Sequence, residues 1–223
     1  MAQFKAVIFD LDGTLLNSIG DIAAACNWLL DREGLPVYST MEYRKWVGAG
    51  MKNLLTQALP PEQQTAQTIA ALLPRLQERY HQNCTEKSYL YPGIEEMLAG
   101  IESLGIPKAI LSNKPDEITQ VCVGHFLQNY HFTPIFGQRG GHLRKPHPGS
   151  GQEIARILQV LPDEVLYIGD TAIDMETASN AGFYPFGVAW GFRPEELSKA
   201  GALTIGKKPE DILTLLESPL NFS

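Results

Sequence analysis

The stretch that most constrains this chain is residues 5–18, KAVIFDLDGTLLNS, where a short apolar run breaks off into two acids, a glycine and a hydroxyl residue. Ala6, Val7, Ile8 and Phe9 are apolar without alternation, as expected for a strand buried on both faces of a parallel sheet. In open α/β sheets ligands bind outside the carboxyl ends of the strands, and that is where Asp10 and Asp12 fall. Residues two apart in an extended chain share a face, so the two carboxylates converge while Leu11 turns back to the core. Gly13 then permits a tight turn or the close approach of a ligand. Paired carboxylates repel unless a cation lies between them or one keeps its proton. An oxygen-seeking divalent ion, Mg2+ foremost, would neutralise the pair and hold a phosphate. Taken alone the motif also reads as an acidic turn after a strand. A calcium loop is excluded, because its sixth position needs glycine where this chain has Leu15, and it needs a helix in front.

Beyond Thr14 the pattern turns helical. Residues 19–32 carry Ile22, Cys26, Leu29 and Leu30 at helical spacing, with Gly34 and Pro36 as the stop. Residues 40–59 read as two helices with a corner at Gly48-Ala49-Gly50, and residues 63–82 as another that Pro74 should kink or split. No strand pattern occurs from residue 19 to residue 84, so this block is expected to be a cap over the site. From residue 91 helices alternate with short apolar strands: helix 92–105, strand 107–111, helix 117–128, strand 133–136, an irregular loop 137–148, helix 150–160, strand 165–168, helix 174–181, strands 184–188 and 203–205, and helix 209–217. The expected fold is α/β, a doubly wound parallel sheet with right-handed crossovers, a Rossmann-like core with a small inserted α-helical cap. The expected division is a core of residues 1–16 and 87–223 and a cap of residues 17–86.

Charge and composition narrow the function classes. With 18 Lys plus Arg against 25 Asp plus Glu, the net charge of −7 argues against general affinity for nucleic acid or an anionic membrane. Cys26, Cys84 and Cys122 lie far apart without a C-x-x-C pairing, which suggests small core residues rather than a zinc site or disulfide framework. The N-terminal MAQFK leaves no room for a signal peptide before the first strand, and no apolar run reaches the roughly 20 residues of a membrane span. A cytoplasmic protein, monomer or homodimer, is expected.

Other polar groups fall at strand ends or in loops. Ser112 and Asn113 follow the first strand of the alternating part, Lys145 lies in Arg144-Lys145-Pro146-His147-Pro148, and Asp170 follows a strand and Gly169, with Asp174 four residues on. If the strands are neighbours, Asp170 reaches the same metal as Asp10, and Asp174 stands behind the metal or pairs with Lys145. Ser112 offers a hydroxyl to a phosphate oxygen and Lys145 a point charge. Singly each has an ordinary reading: a strand-end Ser or a G-D-T as a helix cap, a loop Lys as solvated surface.

Together, and in this order, Asp10-Leu11-Asp12-Gly13-Thr14, Ser112-Asn113, Lys145-Pro146 and Gly169-Asp170-Thr171-Ala172-Ile173-Asp174 resemble the haloacid dehalogenase superfamily of phosphatases, over essentially the whole chain. The resemblance implies that Asp10 is the nucleophile, forming an aspartyl-phosphate, and that Asp12 protonates the leaving alcohol and later takes a proton from water. It implies that Asp10, the Asp12 backbone carbonyl and Asp170 are the protein's ligands to Mg2+. An acid at the position of Asp12 marks the phosphatase side of that superfamily.

The alcohol must be chosen by the cap. Asp21-Ile22-Ala23-Ala24-Ala25, Trp46-Val47-Gly48-Ala49-Gly50, Ser112-Asn113-Lys114 and Trp190-Gly191-Phe192 make the chain similar to phosphoglycolate phosphatases, which implies a small phosphorylated metabolite, 2-phosphoglycolate, as substrate. Gly48 and Gly50 open a helix at Met51 whose free amides would face a substrate carboxylate, with Arg44, Lys52 and Asn113 as further contacts; the same glycines also read as a device for crossing two helices tightly. A dinucleotide fingerprint is excluded, since Asn53 replaces its third glycine and no strand precedes it. One departure from the family stands in residues 137–142, GQRGGH, where an acid is expected after the third strand. Metal binding is expected to survive it, because Asp10 and Asp170 remain. His142 and His147 read as loop histidines. The rival readings are a phosphosugar phosphatase or phosphomutase on the same scaffold, and a non-enzymatic regulatory domain phosphorylated on aspartate.

Overall fold

The computed structural model describes residues 4–218; residues 1–3 and 219–223 of the expected core lie outside them. A six-stranded sheet is built from β1 (Ala6–Phe9), β4 (Lys108–Pro115), β5 (Ile135–Gln138), β6 (Val165–Gly169), β7 (Tyr184–Val188) and β8 (Thr204–Gly206), all parallel, in the order β5-β4-β1-β6-β7-β8. The apolar run at the start of the chain is therefore a central strand, paired on both sides.

The pleat divides its side chains between two cores. Val7 and Phe9 of β1, Ile110 of β4, and Leu166 and Ile168 of β6 enter one. Ala6 and Ile8, Ala109 and Leu111, and Val165 and Tyr167 enter the other. Helices α5 (Ile94–Ser103), α6 (Asp116–Phe126) and α9 (Glu210–Glu217) supply Met97, Ile101, Ile118 and Ile212 to the first. Helices α7 (Gly149–Leu158) and α8 (Ala172–Ala181) supply Ile154, Ala155 and Ala178 to the second. Unbroken hydrophobicity in β1 thus reflects helices on both faces of the sheet.

Residues 19–83 form four helices: α1 (Ile19–Arg32), α2 (Thr40–Trp46), α3 (Met51–Ala58) and α4 (Ala66–Asn83). The expected corner at residues 48–50 separates α2 from α3, with Gly48 at φ +117° and Gly50 at φ +86°, backbone that glycine adopts readily. The expected break at Pro74 does not split α4, which runs through it. Pro74 removes the donor that the Ala70 carbonyl would meet, and both residues are exposed, on the face opposite the buried Ile69, Leu72, Leu76 and Tyr80.

Two short strands were not legible in the sequence. β2 (Leu16–Asn17) and β3 (Tyr89–Leu90) pair antiparallel, so the chain leaves and re-enters the sheet domain through adjacent crossings. Asp21, in the first turn of α1, ties them further, accepting from the Lys87 and Ser88 amides at 2.8 and 2.9 Å and from the Ser88 hydroxyl at 2.6 Å. β4 also outruns expectation, continuing past Leu111 through Ser112, Asn113 and Lys114 to Pro115.

Candidate active site

The sheet order puts three chemically complementary strand ends side by side. β4 and β6 flank β1, and the order reverses there, which is where open α/β sheets bind ligands. Asp10, whose amide donates to the Ile168 carbonyl at 2.9 Å, continues the β1–β6 pairing by one residue. Asp170 follows β6 directly, and Ser112 to Lys114 form the end of β4.

Asp10, Asp170 and Asp174 are buried, and an oxygen from each lies within 4.8 Å of the others. A single ammonium bridges two of them: Lys145 Nζ lies 2.8 Å from Asp10 Oδ1 and 2.7 Å from Asp174 Oδ1. Burial pushes the Asp10 carboxyl up to about 7 against the pull of Lys145, with Asp174 and Asp12 adding to the rise. Burial, and then Asp174 and Asp10, also raise Asp170 well above the usual carboxylate range. For Lys145 burial alone would lower the pKa, but Asp10 and Asp174 outweigh it and hold the ammonium charged. Three carboxylates with one counter-charge make an oxygen-rich, electron-rich site suited to a hard cation.

The oxygens are not equally available. Asp174 accepts from Lys145 on one and from the Thr171 amide and hydroxyl, at 3.1 and 2.8 Å, on the other. Of the two expectations for Asp174, the pairing with Lys145 is therefore the observed geometry. Asp170 Oδ2 accepts from the Phe192 amide at 2.7 Å, and its Oδ1 has only a long 3.4 Å contact from the Thr14 hydroxyl. Two glycines cradle Asp170: a Cβ on Gly13, which sits at φ +89°, would stand 2.2 Å from its Oδ2, and one on Gly191 would stand 2.2 Å from its Cβ. Backbone is packed around this carboxylate so closely that no side chain fits.

Asp12 is held apart from that cluster. Its Oδ1 accepts from the Ser18 hydroxyl at 2.6 Å and from Lys114 Nζ at 2.7 Å. Lys114 also donates to the Tyr80 hydroxyl of α4 at 2.5 Å. Burial would depress the Lys114 pKa, yet Asp12 beside it raises it well above the ordinary lysine value. Lys114 and Tyr80 are the site residues that sequence reasoning missed. Signals existed for both: a lysine next to Ser112-Asn113 at a strand end, and an aromatic continuing the 69, 72, 76 stripe by one further turn.

One cleft joins these groups. Asp10, Asp12, Ser112, Lys145 and Asp174 line its polar end, and Ile22, Cys26, Met51, Leu54 and Leu76 of the helical block line the other. Gly48, Gly50 and Asn113 also border it, whereas Arg44 and Lys52 do not line it. Arg44 instead donates to the Gly191 carbonyl at 2.7 Å, and Lys52 is exposed on α3. Asn113 spends its amide on the backbone, donating to the Gly48 carbonyl at 2.9 Å and the Lys145 carbonyl at 3.1 Å and accepting from the Lys145 amide at 2.9 Å. It braces the glycine corner against the lysine loop. No residue of 137–142 borders the cleft: Arg139 pairs with Glu153 at 2.7 Å, and Gln138 donates to the His142 carbonyl at 2.8 Å. His142 is exposed, and His147 accepts the Gly149 amide at 3.1 Å, as loop histidines do. The cysteines are buried and free.

Comparison with known proteins agrees with the geometry. A family model described as haloacid dehalogenase-like hydrolase matches residues 7–188. The phosphoglycolate phosphatase of Vibrio cholerae is 31% identical over 227 residues, covering 97% of each chain. That of Vibrio vulnificus strain YJ016 is 30% identical over 200 residues, covering 87% of each. The crystal structure of a predicted phosphoglycolate phosphatase from Haemophilus somnus superposes with a TM-score of 0.89 at 28% identity, covering 96% of this chain and 99% of that one. No helix among the described residues is long and apolar enough to cross a membrane.

Proposed function

We propose that this chain, which belongs to the haloacid dehalogenase-like hydrolase family and is a phosphatase of that family, hydrolyses 2-phosphoglycolate with Mg2+ by way of an aspartyl-phosphate on Asp10. The observation that carries the reading is the division of the acids into two sets: Asp10, Asp170 and Asp174 clustered together, with Lys145 bridging Asp10 and Asp174, and Asp12 held separately by Ser18 and Lys114. One set suits a nucleophile with a metal, the other an acid and base.

Asp10, the Asp12 backbone carbonyl and Asp170 are the proposed ligands, and the crowding of three buried carboxylates within 4.8 Å of one another supports the fit of the site to a hard divalent ion. Bound there, Mg2+ would supply charge neutralisation and polarise the phosphoryl group. Lys145 and the Ser112 hydroxyl hold phosphate oxygens, and Asp174, itself fixed by Thr171, aims Lys145. An Asp10 oxygen attacks phosphorus as the bond to the leaving oxygen breaks, and Asp12 gives that oxygen its proton. Asp12 then takes a proton from a water that attacks the aspartyl-phosphate, which returns Asp10 and releases phosphate. The helical block is the proposed cap, covering this chemistry at its apolar end.

The substrate assignment rests on relatives that match nearly end to end. The test is phosphate release from 2-phosphoglycolate, sugar phosphates and nucleotides, with Mg2+ and with EDTA. Preference for 2-phosphoglycolate by tenfold or more, abolished by EDTA, is expected. Comparable turnover of all of them would remove the substrate assignment, and turnover unaffected by EDTA would remove the metal.

A further inference from the structure

Two ammonium groups line the cleft, and only one of them is committed to the phosphoryl end. Lys145 is held between Asp10 and Asp174. Lys114 lines the cleft between Asp12, at the end of β1, and Tyr80 of α4, and is 5% exposed. Lysine is rarely so buried without a purpose for its charge, because desolvating an ammonium is costly. An ammonium has three donors. Asp12 Oδ1 and the Tyr80 hydroxyl take two of those on Lys114, and the third has no protein partner among the described residues.

We infer that Lys114, with Tyr80, anchors a carboxylate carried directly on the ester carbon of the substrate, so that the preferred leaving group is a short 2-hydroxycarboxylate. This deepens the reading above and rests on Asp12 meeting the leaving oxygen. The contacts of Asp12 set the reach. A group bonded through one carbon to that oxygen falls beside whatever donates to Asp12, and the donors there are Ser18 and Lys114, of which only Lys114 is charged. Of the other basic side chains near the mouth, Arg44 is on the Gly191 carbonyl, Arg193 on the Lys45 carbonyl and Glu196, and Lys52 is exposed on α3; the Arg144 guanidinium lies against Gly50, where a Cβ would stand 3.0 Å from its Nη1, but Arg144 does not line the cleft. Lys114, at the end of β4, is the ammonium that both lines the cleft and touches Asp12.

The far wall sets the other half of the selectivity. Ile22, Met51, Leu54 and Leu76 offer no donors or acceptors, so the hydroxyls of a sugar phosphate would be buried there without partners. A two- or three-carbon acid leaves no such groups behind. The phosphosugar alternative is disfavoured by the same geometry that admits the acid.

The test compares 2-phosphoglycolate with ethyl phosphate, which keeps the length and lacks the carboxylate. In Lys114→Met the ratio of kcat/KM for the acid to that for ethyl phosphate is expected to fall at least tenfold, and in Tyr80→Phe about twofold to fivefold. Equal losses on both esters would overturn the inference and leave Lys114 as a partner of Asp12 alone. Lys114→Gln, which keeps a donor without the charge, replaces the methionine variant should that one not fold. The affinities of the two esters for Asp10→Asn, with and without the Lys114 change, give the same ratio without turnover. Failure of the unaltered protein to hydrolyse 2-phosphoglycolate would therefore remove the proposed function, while the affinity ratio still decides the role of Lys114.

Discussion

Asp10 shows how the site sets one requirement against another. Its carboxyl is buried, and one ammonium shared with Asp174 does not fully neutralise it, so its pKa stands at about 7 instead of the ordinary 3.8. A raised folded-state pKa means that the folded chain holds this proton more tightly than the unfolded chain does. The stability linked to it is complete below about pH 4 and is lost as pH rises through 7. Three pKa units correspond to at most roughly 4 kcal/mol. Urea unfolding in EDTA should accordingly find the protein less stable at pH 8 than at pH 5, and Mg2+ should restore stability at pH 8. Equal stability at both pH values in EDTA would contradict the geometry. Asp10→Asn removes the charge and the nucleophile together: it should lower turnover by about a thousandfold or more while losing less stability between pH 5 and pH 8 than the unaltered chain. Residual activity within tenfold would count against a nucleophilic Asp10. Both carboxylates of the first motif were legible because their neighbours in sequence are their neighbours in the site. Asn113 was expected to touch substrate, but its amide is spent bracing Gly48 and Lys145, a use that local sequence does not reveal.

At the scale of the element, α4 shows how packing overrides propensity. A proline in a helix interior costs about 3 kcal/mol, yet α4 continues past Pro74 because Ile69, Leu72, Leu76 and Tyr80 are buried along one face. The site is exposed and Ala70 faces water, so Pro74→Ala restores a hydrogen bond at no cost in packing. A gain of about 1–3 kcal/mol in unfolding free energy is expected, with little change in KM. An unchanged or lower urea midpoint would show that the proline has a positive role in the fold. The helices were legible through their apolar spacing, and β1 and β6 through runs buried on both faces. β4 runs beyond its apolar pattern, because Ser112, Asn113 and Lys114 are polar and buried. Those residues extend the strand for the sake of the site, against the pattern by which strands are found.

Across the whole molecule, three side chains reach from one part to the other and end on backbone carbonyls: Asn113 on Gly48, Arg44 on Gly191 and Arg193 on Lys45. With the paired crossings of β2 and β3 they hold the helical block over the strand ends. Charged hydrogen bonds of this kind contribute about 1.5–3 kcal/mol each, so replacing Arg44 and Arg193 together with alanine should loosen the block. Small-angle scattering should show a larger radius of gyration, and KM should rise about threefold to tenfold with a smaller change in kcat. Identical scattering and KM would mean that apolar packing alone seats the block. The sequence by itself determined the fold class, the helical insertion and the acids at the ends of β1 and β6, because periodicity and motif are properties of adjacent residues. Only the tertiary structure decided that β4 and β6 flank β1, that Asp174 pairs with Lys145, and that Lys114 meets Asp12 and Tyr80. Those contacts join residues 29, 102 and 34 positions apart, and at such separations the partner is chosen by sheet order and packing, which no local pattern records.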